Sequence, residues 1–165
     1  MPRYLFFPAL EKAGSGLAAI EILSGLCRTS LHATAIRYTQ CTRDPLAIVI
    51  SRGGIIDHCF LSEAFKNIDG VDWIKKKEGV PHNTATFAFN KVSNNVRLGI
   101  RIEETSNIQH WFGGSRSIEI SEDIVGLGRY GKTLTVLHKI DIPDAEDEES
   151  EQSLIESWTP RFKHK

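Results

Sequence analysis

The chain has 165 residues, of which 41% are hydrophobic and 25% charged, and its formal net charge is −1. This length supports one hydrophobic core, alone or with a small helical addition. No apolar run approaches the ~18 residues of a membrane-spanning helix, and Pro8 interrupts an N-terminal apolar patch too short for a signal peptide. The three cysteines, Cys27, Cys41 and Cys59, lack C-x-x-C spacing, which predicts free thiols in a cytoplasmic protein.

The charges are distributed unevenly along the chain. Residues 1–140 hold 17 Lys+Arg against 13 Asp+Glu, whereas residues 141–156 hold eight acids and no base. Such a run is most often a solvated segment, so we expect an acidic loop over residues 141–151. A short helix is expected over 153–158, and Trp158, Pro160 and Phe162 are suited to dock a C-terminal tail onto a sheet.

The first part of the chain predicts a helical hairpin. Residues 1–15 contain Pro2, Pro8 and Gly14, which predict an irregular segment. Apolar residues recur at three- and four-residue steps over residues 16–27, and again over residues 30–42 after a cap at Thr29 or Ser30. Two helices joined this closely have the outline of a helix-turn-helix, which defines a helical segment over residues 1–43.

The remaining residues, 44–165, predict a sheet with flanking helices. Residues 46–51 and 55–60 are expected to form a hairpin, because Gly53-Gly54 suits a two-residue turn. A helical turn is expected at 62–66 and a loop at 70–83. In residues 96–102, alternation predicts that Val96, Leu98, Ile100 and Ile102 face inward and Arg97 and Arg101 outward. The other predicted strands are 84–89, 108–112, 117–120 and 134–139. The expected class is α+β, with a mostly antiparallel sheet.

No constellation in the sequence predicts catalysis, a metal site or a cofactor. Residues Gly126 to Thr133 fit G-x-x-x-x-G-K-[ST], but that motif needs a following helix, and residues 134–138 predict a strand. None of the six histidines is followed by Glu, so the H-E-x-x-H motif of zinc peptidases is absent, and no Cys-His spacing fits structural zinc.

Two groups of side chains are candidates for binding. The second predicted helix would expose His32, Arg37 and Gln40 toward a partner or DNA. Five aromatic residues either line a small-ligand pocket over the sheet or belong to its core: Trp73, Phe87, Phe89, Trp111 and Phe112, with Trp73, Phe87 and Trp111 as the candidate pocket. The lysines at 75–77 form a basic rim beside Trp73.

Part of the chain resembles the second half of ImmA/IrrE metallopeptidases. The resemblance rests on a polar cap, then Leu31, Ala35 and Tyr38 at helical spacing with Arg37 beside them, then Asp44-Pro45 and an apolar strand. It covers about 16–61, resumes at 128–137, where a Tyr-Gly pair precedes an apolar strand, and includes Met1-Pro2. It implies a helix-turn-helix-like linker and a GAF-like sheet domain. The peptidase's zinc motif has no counterpart here.

These observations leave two functions open. The resemblance implies a non-catalytic regulatory or sensor module that binds a small effector or a protein partner, such as an Xre-type repressor or the family's catalytic part. The alternative is a DNA-binding regulator that uses the helix over residues 30–42, with Arg28, Arg37 and Arg43 as phosphate contacts. An autonomous enzyme is a third and weaker hypothesis, and no membrane partner is expected.

Overall fold

A computed structural model describes residues 3–74 and 77–140 as helices packed on both faces of one sheet. The five strands are all antiparallel, in the order β2-β1-β5-β4-β3. This confirms the predicted α+β class, with a helical N-terminal region and flanking helices. The predictions for residues 141–151 and 153–158 lie outside the described residues. The elements in chain order are α1 (Arg3–Ala13), α2 (Gly16–Cys27), α3 (Leu31–Cys41), β1 (Ala47–Arg52), β2 (Ile55–Leu61), α4 (Glu63–Lys66), α5 (Ala85–Lys91), α6 (Ser93–Arg97), β3 (Arg101–Asn107), α7 (Ile108–Phe112), β4 (Glu119–Gly126), a 3-10 turn (Gly128–Tyr130) and β5 (Thr133–His138).

The helices α1 to α3 share a hydrophobic core with one face of the sheet. Ile20 of α2 and Tyr38 of α3 are buried in the same cluster as Ile48, Ile50 and Val136 of the strands. The predicted helices over residues 16–27 and 30–42 are therefore present. Ser30 caps α3 by accepting a hydrogen bond from the Ala33 N–H at 3.2 Å, as its position before the apolar run predicts.

The prediction of an irregular segment over residues 1–15 is wrong, because α1 occupies most of it. Phe6 is fully buried, and Ala9, Leu10 and Ala13 pack beside it at helical spacing. Pro8 removes one N–H donor from the helix, but this apolar stripe packs on α2 and compensates for it. The helix ends before Gly14, whose φ is +80°.

The β1–β2 hairpin is present as predicted. Gly53 and Gly54 have φ of +54° and +79°, the conformation that a two-residue hairpin turn requires. The pairing shifts along the hairpin, because Ile50 pairs with His58 while the next residue, Ser51, pairs with Ile56. Asp57 is thus the extra residue of a β-bulge, and the pairing beyond it is displaced by one residue.

Two predicted strands are helices, and a third is helical at its start. Residues 84–89 correspond to α5 and residues 108–112 to α7, and α6 occupies the start of 96–102. Thr84 and Asn107 cap α5 and α7 through their side-chain oxygens, at 3.3 Å and 2.9 Å, and short apolar runs do not distinguish a helix from a strand. The predicted inward face of residues 96–102 is also wrong, because Leu98 is 63% exposed and Ile100 40%.

The pattern of apolar residues in the sequence located the remaining strands of the sheet only in part. The predicted strand over residues 117–120 overlaps the start of β4, and 134–139 agrees closely with β5. The edge strand β3 begins where the predicted strand over residues 96–102 ends and carries mostly polar residues, so it lacks an apolar signal. A second hydrophobic cluster covers the other face and includes Ile56, Phe65, Trp111, Ile120 and Leu137. None of the described helices has the length and apolar character needed to cross a bilayer.

Candidate functional site

A groove of about 330 Å³ lies between α3 and the outer edge of β2. It combines apolar and polar surface. Its lining comes from four parts of the chain: Ile36, Thr39 and Gln40 of α3; Cys59, Phe60 and Leu61 of β2; Lys66 of α4; and Trp73 and Ile74 of the following loop.

The wall formed by α3 is fixed by the burial of that helix. Ile36, Thr39 and Gln40 lie on one side of α3 because they are three and four residues apart. Thr39 is buried, and its hydroxyl donates to the Ala35 carbonyl at 2.9 Å, so this polar group is satisfied within the helix. Gln40 is exposed at the rim, where its Oε1 accepts a hydrogen bond from Arg37 Nη1 at 3.2 Å.

The end of β2 is held in place by a buried hydroxyl. Ser62 Oγ accepts hydrogen bonds from the Leu46 N–H at 3.0 Å and the Phe65 N–H at 3.2 Å. It also donates to the Asp44 carbonyl at 2.9 Å. This one side chain therefore joins the segment before β1, the end of β2 and the first turn of α4, next to the groove residues Leu61 and Lys66.

The opposite wall presents an unburied aromatic ring. Trp73 is 65% exposed, whereas its neighbour Ile74 packs on the second hydrophobic cluster. Lys66 adds a positive charge and pairs with Glu63 on the surface, a weak contact that is easily exchanged for another anion. A large exposed aromatic side chain beside a partly apolar groove is typical of a contact surface.

The first half of the β2 edge is covered by a later segment of the chain. Ile56 donates its N–H to the Glu78 carbonyl at 2.9 Å and accepts from the Lys77 N–H at 2.9 Å. Val80 donates to the Gly54 carbonyl at 2.8 Å. These contacts pair this part of the edge much as a short additional strand would.

Within the described part of the chain, no segment pairs with the second half of the β2 edge, which borders the groove. The Ser62 N–H donates to the Leu46 carbonyl at 2.9 Å, so the backbone polar groups of Ser62 point toward β1. Along an antiparallel strand, the backbone N–H and C=O groups of successive residues point to opposite sides in the plane of the sheet. The backbone groups of Phe60 therefore also point toward β1, whereas those of Cys59 and Leu61 point outward. Within residues 3–74 and 77–140, no hydrogen bond from outside the sheet reaches the backbone of either residue.

The thiol in the groove is not activated. Burial raises the pKa of Cys59 to about 12, so the sulfur stays protonated at neutral pH and is a poor nucleophile. The adjacent His58 stacks on Phe60 with ring centroids 5.9 Å apart. The imidazole therefore lies on the Phe60 side of the strand, as the alternation of side chains predicts.

Two of the predicted binding residues, Gln40 and Trp73, meet in this groove. Arg37 is half-buried and reaches the groove only through its hydrogen bond to Gln40. His32 lies elsewhere, in a cavity of about 280 Å³ that Tyr130 and Lys132 also line. Burial, and then the nearby charges of Lys132 and His58, lower the pKa of His32.

The three aromatic residues of the predicted pocket do not line one cavity. Phe87 contacts the His82 ring edge-on, with centroids 4.3 Å apart, and carries Lys91 Nζ 4.5 Å over its ring. Trp111 is buried in the second hydrophobic cluster, against which Phe87 also packs. Of the three, Trp73 alone lines the α3–β2 groove.

Two adjacent carboxylates in β4 are buried, and the sequence interpretation missed both. Glu122 accepts hydrogen bonds from the Thr86 N–H at 2.7 Å, the Thr86 hydroxyl at 2.6 Å and Trp111 Nε1 at 3.3 Å. The available signal was the pair Glu122-Asp123 inside an apolar strand, since acids are rarely buried unless they are paired.

Asp123 connects the sheet to the helical region. Its Oδ2 accepts from the Leu17 N–H of α2 at 2.9 Å and lies 2.9 Å from His138 Nε2. Burial alone would raise the pKa of this carboxyl, but the contacts with His138 and Leu17 outweigh burial, so its pKa lies below the ordinary 3.8. Gly16 leaves the space for this contact, because a Cβ there would lie 2.5 Å from His138 Cε1.

The described residues contain no group of three His, Cys, Asp or Glu side chains close enough to hold a metal ion. The stretch that resembles a phosphate-binding loop forms a 3-10 turn followed by β5, so it lacks the helix whose N-terminus would hold a phosphate. Comparisons with protein-family models and with curated proteins found no match.

Proposed function

We propose that this chain is a non-catalytic regulatory module that binds an extended segment of a partner protein in the α3–β2 groove. The observation that carries the proposal is the edge of β2 at Cys59 and Leu61, which no described segment pairs, beside a partly apolar groove. A peptide that adds as a strand gains main-chain hydrogen bonds from such an edge and specificity from the adjoining pockets. Trp73 supplies the aromatic contact that often dominates interface energies.

The resemblance to ImmA/IrrE proteins names the partners to examine first. In that family, the corresponding region helps to position an Xre-type repressor for cleavage by the catalytic part. An extended segment of such a repressor, or of a catalytic part, is therefore the expected occupant.

The DNA-binding alternative has less support in the geometry. Of the α3 side chains, Ala33 and Gln40 are exposed, whereas His32 and Arg37 are half-buried. A helix that reads the major groove presents several polar side chains to the base edges. Because α3 packs against β1 and β2, it offers too narrow a surface for this role.

Peptide binding to the full chain tests the proposal. Decapeptides selected from a displayed random library, and overlapping fragments of an Xre-type repressor, are titrated by fluorescence anisotropy. We expect binding that Trp73→Ala weakens at least tenfold, consistent with the loss of an aromatic anchor. Tyr130→Ala is the matched control, because Tyr130 is an exposed aromatic residue in a different cavity.

Amide hydrogen exchange identifies the mode of binding. A bound strand should slow hydrogen exchange at the Cys59 and Leu61 N–H groups. The exchange rate of the Phe60 N–H should not change, because this N–H already points toward β1. The proposal fails if no peptide binds, or if Trp73→Ala leaves binding intact. Binding of the anionic aromatic dye anilinonaphthalene sulfonate at Trp73 without any peptide binding would instead favour a small effector.

The same full chain is titrated into a labelled DNA duplex at roughly 50 and 200 mM salt, because phosphate contacts weaken steeply over this range. Tight binding that salt and Arg37→Ala both weaken would favour the DNA-binding alternative.

A further inference from the structure

A second cavity, of about 280 Å³, lies at the start of α3, and its lining residues differ from those of the α3–β2 groove. We call it the His32 cavity. One wall comes from the cap and first residues of α3, and the other from the loop between β4 and β5: Ser30, Leu31 and His32 face Leu127, Tyr130 and Lys132. Its volume is close to the lower end of the roughly 300–1,000 Å³ of small-molecule sites, so it suits a ligand of one or two rings.

The loop that forms the second wall is closed by its own backbone. The Leu127 N–H donates to the Lys132 carbonyl at 2.8 Å, and the Tyr130 N–H donates to the Leu127 carbonyl at 3.2 Å. Inside this closure, the Gly131 N–H donates to the Gly128 carbonyl at 2.9 Å. The loop is the stretch that fits the phosphate-binding pattern in the sequence, and here it fixes the backbone that carries three side chains of the cavity. A preorganised wall lowers the conformational cost of binding.

The cavity offers apolar and aromatic surface to a ligand. Tyr130 is 58% exposed, and the guanidinium carbon of Arg129 lies 5.3 Å from the centroid of its ring. Leu31 and Leu127 both pack partly against the first hydrophobic cluster, so they form a supported apolar wall. A planar ring can therefore stack on the tyrosine in offset geometry while its edge contacts the two leucines.

The cavity also presents a positive charge. Lys132 Nζ lies 3.1 Å from Asp57 Oδ2, and of this pair the lysine lines the cavity. Burial lowers the pKa of His32, and the nearby charges of Lys132 and His58 lower it further. A positive charge lowers the pKa of an imidazole only where its potential is felt. The potential of Lys132 therefore reaches the cavity although the lysine is paired with Asp57.

The ion pair of Lys132 can be exchanged at little cost. The side chains of Lys132 and Asp57 are 21% and 31% exposed, so solvent screens part of their attraction. The hydrogen bond from Lys132 lowers the pKa of Asp57 most, and the charge of Arg52 also lowers it. Asp57 therefore keeps a cationic neighbour when Lys132 turns toward a ligand.

We propose that the His32 cavity binds a small aromatic carboxylate. The ring of the ligand stacks on Tyr130 and contacts the two leucines, and its carboxylate accepts a hydrogen bond from Lys132 Nζ. The imidazole of His32 donates a second hydrogen bond from a ring nitrogen. A monoanion matches the single lysine of the cavity, whereas a cation would meet a like charge. This site is independent of the proposed function, because it takes a different ligand at a different place.

Titration of the full chain with 2-naphthoate, followed by NMR of the backbone amides, tests the inference. We expect chemical-shift changes at residues 30–32 and 127–132 and a Kd near or below about 1 mM. The uncharged 2-naphthamide has the same rings and should bind about fivefold more weakly, because it lacks the charge-assisted hydrogen bond to Lys132. The cationic 2-naphthylmethylamine should bind more weakly still.

Two substitutions should change the affinity for 2-naphthoate in opposite directions. Lys132→Gln should weaken binding about fivefold. Asp57→Asn should strengthen it roughly twofold to fivefold, because the lysine loses its internal competitor, and a damaged fold would not produce such a gain. Lys139→Gln is the matched control and should leave the affinity unchanged, because Lys139 pairs with Glu103 of the opposite edge strand at 3.2 Å.

The aromatic residues separate this cavity from the groove. Tyr130→Ala should weaken 2-naphthoate binding about fivefold, whereas Trp73→Ala should not change it, which is the reverse of the expectation for a groove-binding peptide. Equal affinities for 2-naphthoate and 2-naphthamide, shift changes centred on Trp73, or no saturable binding at millimolar concentration would each overturn the inference. Binding at residues 30–32 and 127–132 with the expected order of affinities would support it, whatever the result of the peptide titrations.

Discussion

Replacing the buried carboxylate of Glu122 should be among the most damaging single changes in the sheet. Its oxygens accept from the Thr86 N–H, the Thr86 hydroxyl and Trp111 Nε1. In Glu122→Ala the hydroxyl of Thr86 can turn to Thr135 Oγ1, 2.8 Å away. The Thr86 N–H and Trp111 Nε1 have no such alternative and become unpaired donors in the core.

The expected magnitude follows from these two donors. Each buried donor that loses its acceptor costs about 1–3 kcal/mol, and the relief of the carboxylate's desolvation returns part of this. We expect Glu122→Ala to lower the free energy of unfolding by about 2–4 kcal/mol. Glu122→Gln should cost less, because it keeps one acceptor oxygen for Thr86 while its amide group faces Trp111.

Urea denaturation at pH 7 measures the effect, with thermal unfolding as a second assay. A loss near 3 kcal/mol corresponds to a fall in Tm of about 6–12 °C for a chain of this size. The matched control is Glu119→Gln, an exposed acid on the same strand, which should change stability by less than about 0.5 kcal/mol. A loss below about 1 kcal/mol for Glu122→Ala, or a cost for Gln equal to that for Ala, would refute the reasoning.

Further measurements examine the contact of α2 with the sheet and the buried thiol. Asp123→Asn should cost about 1.5–3 kcal/mol at pH 7. Because the pKa of Asp123 is lower in the folded protein, its contribution to the free energy of unfolding is fully present above pH 3.8 and is lost as the pH falls through the folded pKa. The free energies of unfolding of the wild type and the variant, measured in urea, should therefore converge at that low pH. Gly16→Ala should lower the free energy of unfolding by about 1–3 kcal/mol, because φ at Gly16 is +72° and the new Cβ would meet His138. Gly14→Ala is the control and should cost less, because φ at Gly14 is +80° but no atom lies within 4 Å of the new Cβ. Equal costs for the two variants would contradict the steric explanation. In a variant that retains Cys59 as its sole cysteine, the folded protein should react with iodoacetamide at pH 8 up to about a thousandfold more slowly than the protein unfolded in urea. The reason is that folding raises the pKa of the Cys59 thiol from 9.0 to about 12. Equal rates would show an exposed thiol.

The sequence predicted those elements whose signals are local. The spacing of Leu17, Ile20 and Leu23 in α2 depends only on neighbouring residues, and so does the predicted cap at Thr29 or Ser30, of which α3 uses Ser30. The hairpin was equally clear, because Gly53-Gly54 satisfies the turn whatever the rest of the chain does. These parts agree with the structure to within one or two residues.

The wrong secondary-structure predictions arose where the local sequence signal was weak or was outweighed by packing. The apolar runs around Phe87 and Trp111 are too short to distinguish helix from strand, and caps at Thr84 and Asn107 decide for helix. Conversely, β3 has almost no apolar signal, because an edge strand is stabilised by its neighbour β4 and needs little burial. In α1, packing of Phe6 on the second helix outweighs the effect of Pro8.

The candidate site shows the same division. From the sequence alone, Gln40 and Trp73 were candidates for separate reasons, one as a helix surface residue and the other as an aromatic residue in a loop. Their position in one groove depends on the packing of α3 against β2, which brings together residues more than thirty positions apart. The position of the β2 edge at Cys59 and Leu61 depends on the strand order and on the bulge at Asp57. Local residue chemistry determined the helices, the hairpin and the absence of a zinc-peptidase motif, whereas contacts between distant residues decided the groove, its β2 edge and the buried carboxylates.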